Sequence, residues 1–317
     1  MRLLADIGGT NTRLATLHDS GRIESIEVIR NEAHPDFVSA LQWYIGDREA
    51  EFRRTRVALA VAAPIEGDRV TLTNRGWEFS ISDLARKIDA ESIQVVNDFT
   101  ANAMALPFLT PENLFQVGGS ERVANKPMGI IGPGTGLGVS ALIPSTQGWH
   151  AISGEGGHVT LAAGNARESR IIDLVREEFG HVSAERLLSG SGLSNLYAAI
   201  ARDNAHNKER VSPDRIAPLA REGDIVARET LAMFFALLGG VAGDLALTLG
   251  SLGGIYIAGG IVPRLKDEFL GSSFRQRFED KGRFRSYNQR ITTSMVTAQI
   301  PAFTGLAAML DGRVHPV

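Results

Sequence analysis

The sequence contains no cysteine among its 317 residues. A disulfide framework and a thiolate-bound zinc site are therefore excluded, since each requires cysteine sulfur. Clustered positive charge is also scarce: the net charge is −3, and one basic stretch, 275–290, breaks the pattern. Because nucleic-acid phosphates bind clustered Lys and Arg, we expect no nucleic-acid partner and interpret this stretch as solvated surface.

Targeting segments and long hydrophobic runs are scarce as well. The stretch Met1–Thr10 lacks a long apolar region followed by a cleavage site, so no secretory signal is predicted. One run, Leu231–Val262, has Asp244 as its single charge and could be taken for a membrane span. Ser251–Gly254 interrupts this run, and a buried helix followed by a buried strand explains it better. We expect a cytoplasmic protein without a membrane partner.

Two glycine-rich turns repeat one pattern. "DIGGTNTR" begins at Asp6 and "GPGTGLG" begins at Gly132, and each lies between two apolar runs that predict strands. A repeat so widely spaced along the chain is typical of two related domains. Further apolar strands at Arg56–Ala63 and Ile93–Val96 alternate with helical patterns. This order predicts an α/β fold with a mixed sheet.

Both turns have the composition of a phosphate-binding loop. Glycine lets the backbone approach a ligand closely, successive N–H groups can converge on a phosphate, and the Thr hydroxyl adds a donor. Neither turn is a Walker A motif, and neither precedes a helix as a Rossmann fingerprint does. The alternative is a plain β-hairpin turn. The candidate residues are Gly8, Gly9, Thr10, Asn11, Gly134, Thr135 and Gly136.

Asp6 lies beside the first glycine pair. Mg²⁺ is typically bound by one or two carboxylates together with waters and substrate phosphates. A carboxylate next to a phosphate loop therefore predicts a magnesium-side role, through a water molecule. The alternative is an Asp that caps the turn.

Three other places carry polar side chains in unusual positions. Asn97 and Asp98 end an apolar strand, where they are poor core residues but suitable ligands for a polar molecule. Glu155 and His158 lie in "GEGGHV", and both can hydrogen-bond hydroxyl groups. A structural loop or a metal site is the alternative there. Glu185 follows Ser183, a predicted helix cap, and by itself is typical of a surface residue.

The glycine hairpins, Asp6 and the later "IAGG" together resemble the sugar kinase, Hsp70 and actin superfamily. This resemblance implies two related α/β domains of actin-like, ribonuclease H-like architecture, with a cleft between them that clamps ATP. It also implies that Gly259 and Gly260 contact the adenosine. We expect a smaller domain of residues 1–107, completed by a C-terminal helix at about 300–317, and a larger domain of residues 108–299.

Four motifs point to one family within this superfamily. "VVNDFTANAMAL", "GPGTGLG", "GEGGHV" and "SAERLLSGSGL" are similar, in order and spacing, to those of the bacterial ATP-dependent glucokinases of the cysteine-free, non-zinc type. The other glucokinase-like group, with repressor relatives, carries a Cys-rich zinc motif after its sugar loop. The absence of cysteine, and the lack of room for a helix-turn-helix before the first strand, argue against that group.

The resemblance also implies residue roles. Asp98 would be the catalytic base. The sugar hydroxyls would be contacted by Asn97, Asp98, Glu155, His158 and Glu185. The nucleotide and its Mg²⁺ would be faced by Asp6, Gly8, Gly9, Thr10, Asn11, Gly134, Thr135, Gly136, Gly259 and Gly260.

The implied reaction is ATP-dependent phosphorylation of D-glucose to glucose 6-phosphate, the first step of glycolysis, by a homodimer. One alternative is a kinase for another hexose, such as mannose or glucosamine. Another is a non-catalytic sugar sensor that uses the same residues. An Hsp70-like ATPase would leave the sugar-contacting cluster unexplained.

Overall fold

The computed structural model describes residues 1–72, 76–205 and 210–317. These residues form two compact units. Unit 1 comprises Met1–Leu109, Leu142–Ser153 and Ala298–Val317, and unit 2 comprises Thr110–Ala141 and Gly154–Thr297. The sequence assigns 142–153 to the larger domain, whereas the structure groups this segment with unit 1. The reason is local, because Trp149 pairs in a parallel ladder with Val314 near the C-terminus.

The strands of the described residues are β1 (Arg2–Ile7), β2 (Asn11–Leu17), β3 (Ile23–Arg30), β4 (Arg56–Val61), β5 (Arg69–Thr71), β6 (Glu78–Ser80), β7 (Ser92–Asn97), β8 (Leu114–Gly118), β9 (Met128–Pro133), β10 (Leu137–Ser145), β11 (Gly148–Gly154), β12 (Ile255–Ile257), β13 (Thr293–Val296) and β14 (Val314–Pro316). Their sheets have the orders β3-β2-β1-β4-β7, β14-β11-β10-β9-β12-β13-β8 and β5-β6.

The α-helices of the described residues are α1 (Phe37–Ile45), α2 (Glu49–Phe52), α3 (Ile81–Lys87), α4 (Asp98–Ala105), α5 (Ala166–Phe179), α6 (Ala184–Leu187), α7 (Gly190–Asp203), α8 (Pro213–Glu222), α9 (Ile225–Leu249), α10 (Ile261–Arg264), α11 (Lys266–Leu270), α12 (Phe274–Glu279), α13 (Arg285–Arg290) and α14 (Pro301–Leu310). The α/β class and both predicted glycine hairpins, β1–β2 and β9–β10, are confirmed.

The five-stranded sheet of unit 1 is mixed. β1 pairs antiparallel with β2 and parallel with β4, and β4 pairs parallel with β7. The central strands β1 and β4 are largely buried, which explains their nearly continuous apolar sequences. The register places Ile7 beside Val61 and Val61 beside Asn97. The carboxyl ends of three parallel strands therefore lie at one edge of this sheet.

Helix α4 begins where β7 ends and packs against α14. The two helices approach so closely that a Cβ atom at Gly305 of α14 would overlap the carbonyl oxygen of Ala101 in α4. Ala101 is fully buried at this contact. The C-terminal helix predicted from the sequence is confirmed, and it supports the helix that carries Asp98.

Unit 2 has its own core. β9 pairs parallel with β12, and both strands are buried along their whole length. Helix α9, the one helix of the described residues that is long and apolar enough to cross a membrane, has 67% of its most apolar window buried. Gly250 ends it in a left-handed conformation before the buried strand β12. The predicted order of buried helix and buried strand in 231–262 is confirmed.

The interpretation of the basic stretch as solvated surface is wrong for two of its arginines. Arg275 and Arg277 have only 17% of their side chains exposed. Arg275 pairs with Glu279, and Arg277 pairs with Glu168, whose side chain is 3% exposed. Each largely buried guanidinium is compensated by a carboxylate, so the loss of either partner would leave an uncompensated charge in unit 2.

Replacing Gly305 with Ala tests the support of α4 by α14. We expect Gly305→Ala to lower the melting temperature, because the added methyl group would overlap backbone, and overpacking of this kind typically costs about 1–3 kcal/mol. Gly240→Ala is the matched control, since this helical glycine of α9 has no atom closer than 3.9 Å to a built Cβ. Thermal unfolding measures both variants. An unchanged melting temperature for Gly305→Ala would contradict the packing described.

Candidate active site

Two of the predicted site segments lie at the same edge of the five-stranded sheet. The turn Gly8–Asn11 follows β1, and Asn97 and Asp98 lie at the junction of β7 and α4. β4 separates β1 from β7, and neighbouring strands are about 4.7–4.9 Å apart, so the turn and the junction are about 10 Å from each other. Open α/β sheets bind ligands at the carboxyl ends of their strands, which is where these residues are.

The first glycine turn is compact. The Gly8 N–H donates to the Asn11 carbonyl oxygen at 3.0 Å, and a Cβ atom at Gly8 would lie 3.0 Å from that same oxygen. Thr10 is exposed at the tip of the turn. The turn is thus a β-hairpin in geometry, as the alternative interpretation states, and its exposed tip leaves room for a ligand to approach.

Asp6 faces Arg13 across the β1–β2 ladder. The Arg13 guanidinium donates to the Asp6 carboxylate at 2.9 Å, and the Asp6 side chain is 15% exposed. Burial raises the pKa of Asp6 above its usual value of 3.8, and the neighbouring Arg13 charge lowers it only in part. Among the described residues no group of three or more His, Asp or Glu could hold a metal ion. A lone carboxylate fits Mg²⁺ that takes its other ligands from phosphates and water.

Asn97 has a structural role that the sequence analysis did not assign. Its side-chain oxygen accepts hydrogen bonds from the N–H groups of Phe99 and Thr100 at 2.9 and 3.3 Å, so Asn97 is the N-cap of α4. Asp98 is the first helical residue and is partly exposed. One Asp98 carboxylate oxygen accepts the Phe99 N–H at 2.9 Å. The cap therefore fixes the backbone on which Asp98 is carried, and a helix N-terminus favours an anion.

The second glycine turn, Gly134–Gly136, lies between β9 and β10 in unit 2. The Gly259 backbone, which follows β12, has a φ of +81° and approaches so closely that a Cβ atom there would overlap the Pro133 carbonyl oxygen. The Gly190 N–H, at the start of α7, donates to the Gly134 carbonyl oxygen at 2.8 Å. The structure thus brings the second predicted phosphate turn and the "IAGG" loop together within this unit.

Glu185 contacts the second glycine turn directly. Ser183 caps α6 as predicted, accepting the Arg186 N–H, and α6 carries Glu185. The Glu185 carboxylate accepts the Leu137 N–H at 2.8 Å, and a Cβ atom at Gly136 would overlap the same carboxylate. Glu185 is therefore a half-buried side chain held by this turn, although by itself it is typical of a surface residue. A side chain at position 136 would therefore have to displace the Glu185 carboxylate from its hydrogen bond to Leu137.

Glu155 and His158 flank a short 3₁₀ turn, Gly156–His158. Both side chains are well exposed, at 61% and 59%, and their charged atoms lie 3.9 Å apart, which is too long for a hydrogen bond. A Cβ atom at Gly157 would overlap the Leu137 carbonyl oxygen. Leu137 therefore meets both Gly157, in the loop that carries Glu155 and His158, and the Glu185 carboxylate, so the two segments that carry these residues lie against one strand end.

One residue of this region was missed. Asn31 follows β3 and is 1% exposed, and its side chain hydrogen-bonds the first glycine turn at Gly8. The sequence offers no distinct signal, because Asn31 lies between two charged residues, Arg30 and Glu32, directly after an alternating strand pattern. This pattern gives no indication of which segment the Asn31 side chain contacts.

Comparison with known proteins shows which family the chain belongs to. The family model described as "Glucokinase" matches residues 3–313. The chain belongs to the glucokinase family. A glucokinase of Paramagnetospirillum magneticum is 46% identical over 312 residues, which cover 98% of this chain and 97% of that protein.

The solved structures agree with this assignment. The crystal structure of a glucokinase from an Antarctic psychrotroph is 35% identical, superposes with a TM-score of 0.89, and covers 98% of each chain. The predicted two-domain α/β fold of actin-like sugar kinases is thereby confirmed.

A protein of Paraburkholderia xenovorans named "Bifunctional protein glk" is 45% identical over 310 residues, and the chain spans 48% of its length.

Because the pKa of Asp6 is raised, the free energy of unfolding should depend on pH through this residue. At pH values between the usual Asp pKa of 3.8, which applies to the unfolded state, and the raised pKa of the folded state, the folded state binds more protons. The free energy of unfolding therefore falls as the pH rises and Asp6 becomes charged. We expect Asp6→Asn to melt at a higher temperature than the parent protein at pH 7, and this gain to shrink at pH 4. Thermal unfolding at the two pH values, without added metal or nucleotide, measures it.

Asp311→Asn is the control for this prediction. Asp311 is also paired with an arginine, Arg2, but at 31% its side chain is about twice as exposed as that of Asp6. The control therefore removes a comparable ion pair from a less buried position. A gain from Asp311→Asn as large as that from Asp6→Asn, or a gain that is equal at both pH values, would refute the role of burial.

Proposed function

We propose that this member of the glucokinase family transfers the terminal phosphoryl group of ATP to the 6-hydroxyl group of D-glucose, the first step of glycolysis. The observation that carries the proposal is the position of Asp98. Its carboxylate lies in the first turn of α4, at the sheet edge that also carries the glycine turn Gly8–Asn11. A base and a phosphate loop at one edge are the two parts that phosphoryl transfer to an alcohol requires.

The proposed roles of the side chains follow the motifs that carry them. Asp98 is the catalytic base. The residues proposed to bind the sugar hydroxyls are Asn97, Asp98, Glu155, His158 and Glu185. The residues proposed to face the nucleotide are Asp6, Gly8, Gly9, Thr10, Asn11, Gly134, Thr135, Gly136, Gly259 and Gly260.

Asp98 acts by orienting the primary hydroxyl group and accepting its proton. An ordinary Asp carboxyl group is ionised at neutral pH, so it is ready to accept a proton, although it is a weak base. Weak basicity suffices, because phosphoryl transfer passes through a loose transition state and depends mainly on positioning and charge stabilisation. General-base assistance of this kind is typically worth 10²–10⁴-fold.

The glycine turns stabilise the charge that develops on the phosphate oxygens. The Gly8 and Gly134 N–H groups are used inside the two turns, where they donate to Asn11 and Gly136. The N–H groups at the tips, Gly9–Thr10 and Thr135–Gly136, are the proposed phosphate donors and need little reorganisation during the reaction. Bound Mg²⁺ supplies positive charge beside the phosphates, and Asp6 would hold one of its water molecules. The Asp6 carboxylate is itself held by Arg13, so its position is set before any ion binds.

Sugar selectivity follows from the number of acceptors. Glu155, Glu185 and Asp98 accept hydrogen bonds from hydroxyl groups, and a sugar that lacks a hydroxyl would leave one of them unpaired. The same negative charges disfavour a sugar that already carries phosphate. A kinase for mannose or glucosamine remains the alternative within enzymes, and a non-catalytic sugar sensor is the alternative outside them. The presence of Asp98 favours an enzyme over a sensor.

The finer placement is also part of the proposal. The motif set and the absence of cysteine support the cysteine-free type of ATP-dependent bacterial glucokinase and, beyond it, the sugar kinase, Hsp70 and actin superfamily. We further propose a cytoplasmic homodimer that has no nucleic-acid or membrane partner.

A coupled assay of ADP release over a panel of hexoses, with ATP and Mg²⁺, tests the function. We expect the highest kcat/KM for glucose. Faster turnover with mannose or glucosamine would show that glucose is not the preferred substrate, and the proposed mechanism would be unchanged. Sugar binding without ADP release from any hexose would favour the sensor.

Asp98→Asn tests the mechanism. The amide keeps the shape of the side chain but cannot accept the proton, so kcat should fall by about 10²–10⁴-fold while the glucose dissociation constant changes little. Steady-state kinetics and calorimetric titration with glucose measure the two effects. Asp214→Asn is the matched control, because it removes an exposed carboxylate from the first turn of another helix, α8. An Asp98→Asn enzyme with near-normal kcat would remove Asp98 from the mechanism.

A further inference from the structure

Asn31 makes two hydrogen bonds to the first glycine turn and one to Thr12 in the strand that follows it. Its backbone N–H donates to the Thr10 carbonyl oxygen at 2.9 Å, and its side-chain Nδ2 donates to the Gly8 carbonyl oxygen at 2.8 Å. Its Oδ1 accepts the hydroxyl proton of Thr12 at 2.8 Å. We propose that Asn31 is the positioning residue of the phosphate-binding turn, and that it sets the direction in which the turn presents its N–H groups. The inference rests on the nucleotide role proposed for Gly8–Asn11.

The orientation of the side-chain amide is determined by its partners. The Gly8 carbonyl oxygen can only accept a hydrogen bond, so the group that faces it must be the NH₂ of Asn31. The other end, Oδ1, then receives the Thr12 hydroxyl. Asn31 is 1% exposed and Thr12 is fully buried, so water cannot take the place of either partner. The amide is therefore fixed in one orientation.

The fixed amide determines which side of the turn presents N–H donors and which side presents carbonyl oxygens. In a trans peptide the C=O and the N–H point to opposite sides, and the structure has no cis peptide among its described residues. Since the Gly8 carbonyl points at Asn31, the Gly9 N–H points away from it. The Thr10 carbonyl is likewise turned toward Asn31. Two carbonyl oxygens that would repel phosphate are thus held toward the protein, and a donor faces the other side.

A glycine turn needs such a constraint. Glycine reaches both signs of φ at little cost, so a Gly8–Gly9 peptide can rotate and present its carbonyl oxygen in place of its N–H. A buried carbonyl that loses its hydrogen bond leaves a group without a partner, which opposes that rotation. Asn31 therefore supplies the stiffness that the turn itself lacks. Its expected influence is on the nucleotide phosphates and not on the sugar.

Asn31→Asp is the test. The substitution keeps an acceptor for Thr12 but replaces the donor that faces Gly8 with an oxygen, which repels the carbonyl. We expect the dissociation constant of AMPPNP, a non-hydrolysable ATP analogue, to rise roughly tenfold, the size of effect typical for a lost buried hydrogen bond. The dissociation constants of glucose and of adenosine, which has no phosphate, should stay unchanged. Calorimetric titration of the folded protein measures all three.

Asn288→Asp is the matched control. Asn288 is also fully buried, and its Nδ2 donates to the carbonyl oxygens of Gly243 and Phe278, far along the chain from the turn. This variant loses an equivalent donor and should bind AMPPNP as the parent protein does. Thr12→Val provides a second test if Asn31→Asp does not fold, because it removes the hydroxyl that orients the amide. It should weaken AMPPNP binding by a smaller factor.

The outcomes separate this inference from the proposed function. Parental AMPPNP affinity in Asn31→Asp, or in Thr12→Val where Asn31→Asp does not fold, would overturn the positioning role and leave the function intact. Equal losses for AMPPNP, adenosine and glucose would also overturn it, because they would indicate general damage. A parent protein that binds no AMPPNP would overturn the proposed function, and with it the basis for a role of Asn31.

Discussion

The capping of α4 by Asn97 is the interaction on which the proposed chemistry depends. The side-chain oxygen of Asn97 accepts the first free N–H groups of the helix, so the chain turns from strand to helix at one defined residue. The next residue, Asp98, then has a fixed backbone, and only its side chain can move. α14 holds the same helix from the other side through the close approach at Gly305. A weak base becomes useful when its position is fixed in this way.

Close approach of protein atoms is the second constraint, and Leu137 in unit 2 is one example of it. The Leu137 N–H is bound by Glu185, and its carbonyl oxygen leaves no space for a side chain at Gly157. The glycine at 157 is therefore required by a neighbouring backbone atom, and a ligand is not needed to explain it, whereas a Cβ atom at Gly134 would meet no atom within 4 Å. The ligand-binding roles rest instead on the exposed tips, Thr10 and Thr135, and on the carboxylates beside them.

Much of the fold could be predicted because its signals are local. A Gly-Thr pair between two apolar runs predicts a hairpin, and both hairpins are present. The run 231–262 was separated correctly into helix and strand because Ser251–Gly254 lies between them. The candidate site residues of unit 1 were also found from local features, since they lie at or just after the carboxyl ends of β1 and β7.

The rest depends on contacts between residues far apart in the chain. Asn31 contacts Gly8 only because β3 pairs with β2 in one particular register, and no local pattern specifies that register. Glu185 reaches Leu137, and Arg277 reaches Glu168, across even longer separations. Charged side chains look alike in a sequence whether they are solvated or buried with a partner. The basic stretch was misinterpreted for that reason.

The central claim is that the Asp98 carboxylate receives the proton of the primary hydroxyl group of glucose. A crystal structure with glucose and AMPPNP bound tests it most directly. The account predicts an Asp98 carboxylate oxygen within about 2.6–3.2 Å of the glucose 6-hydroxyl oxygen. A bound glucose whose 6-hydroxyl contacts a different side chain, with Asp98 turned away from it, would contradict the account.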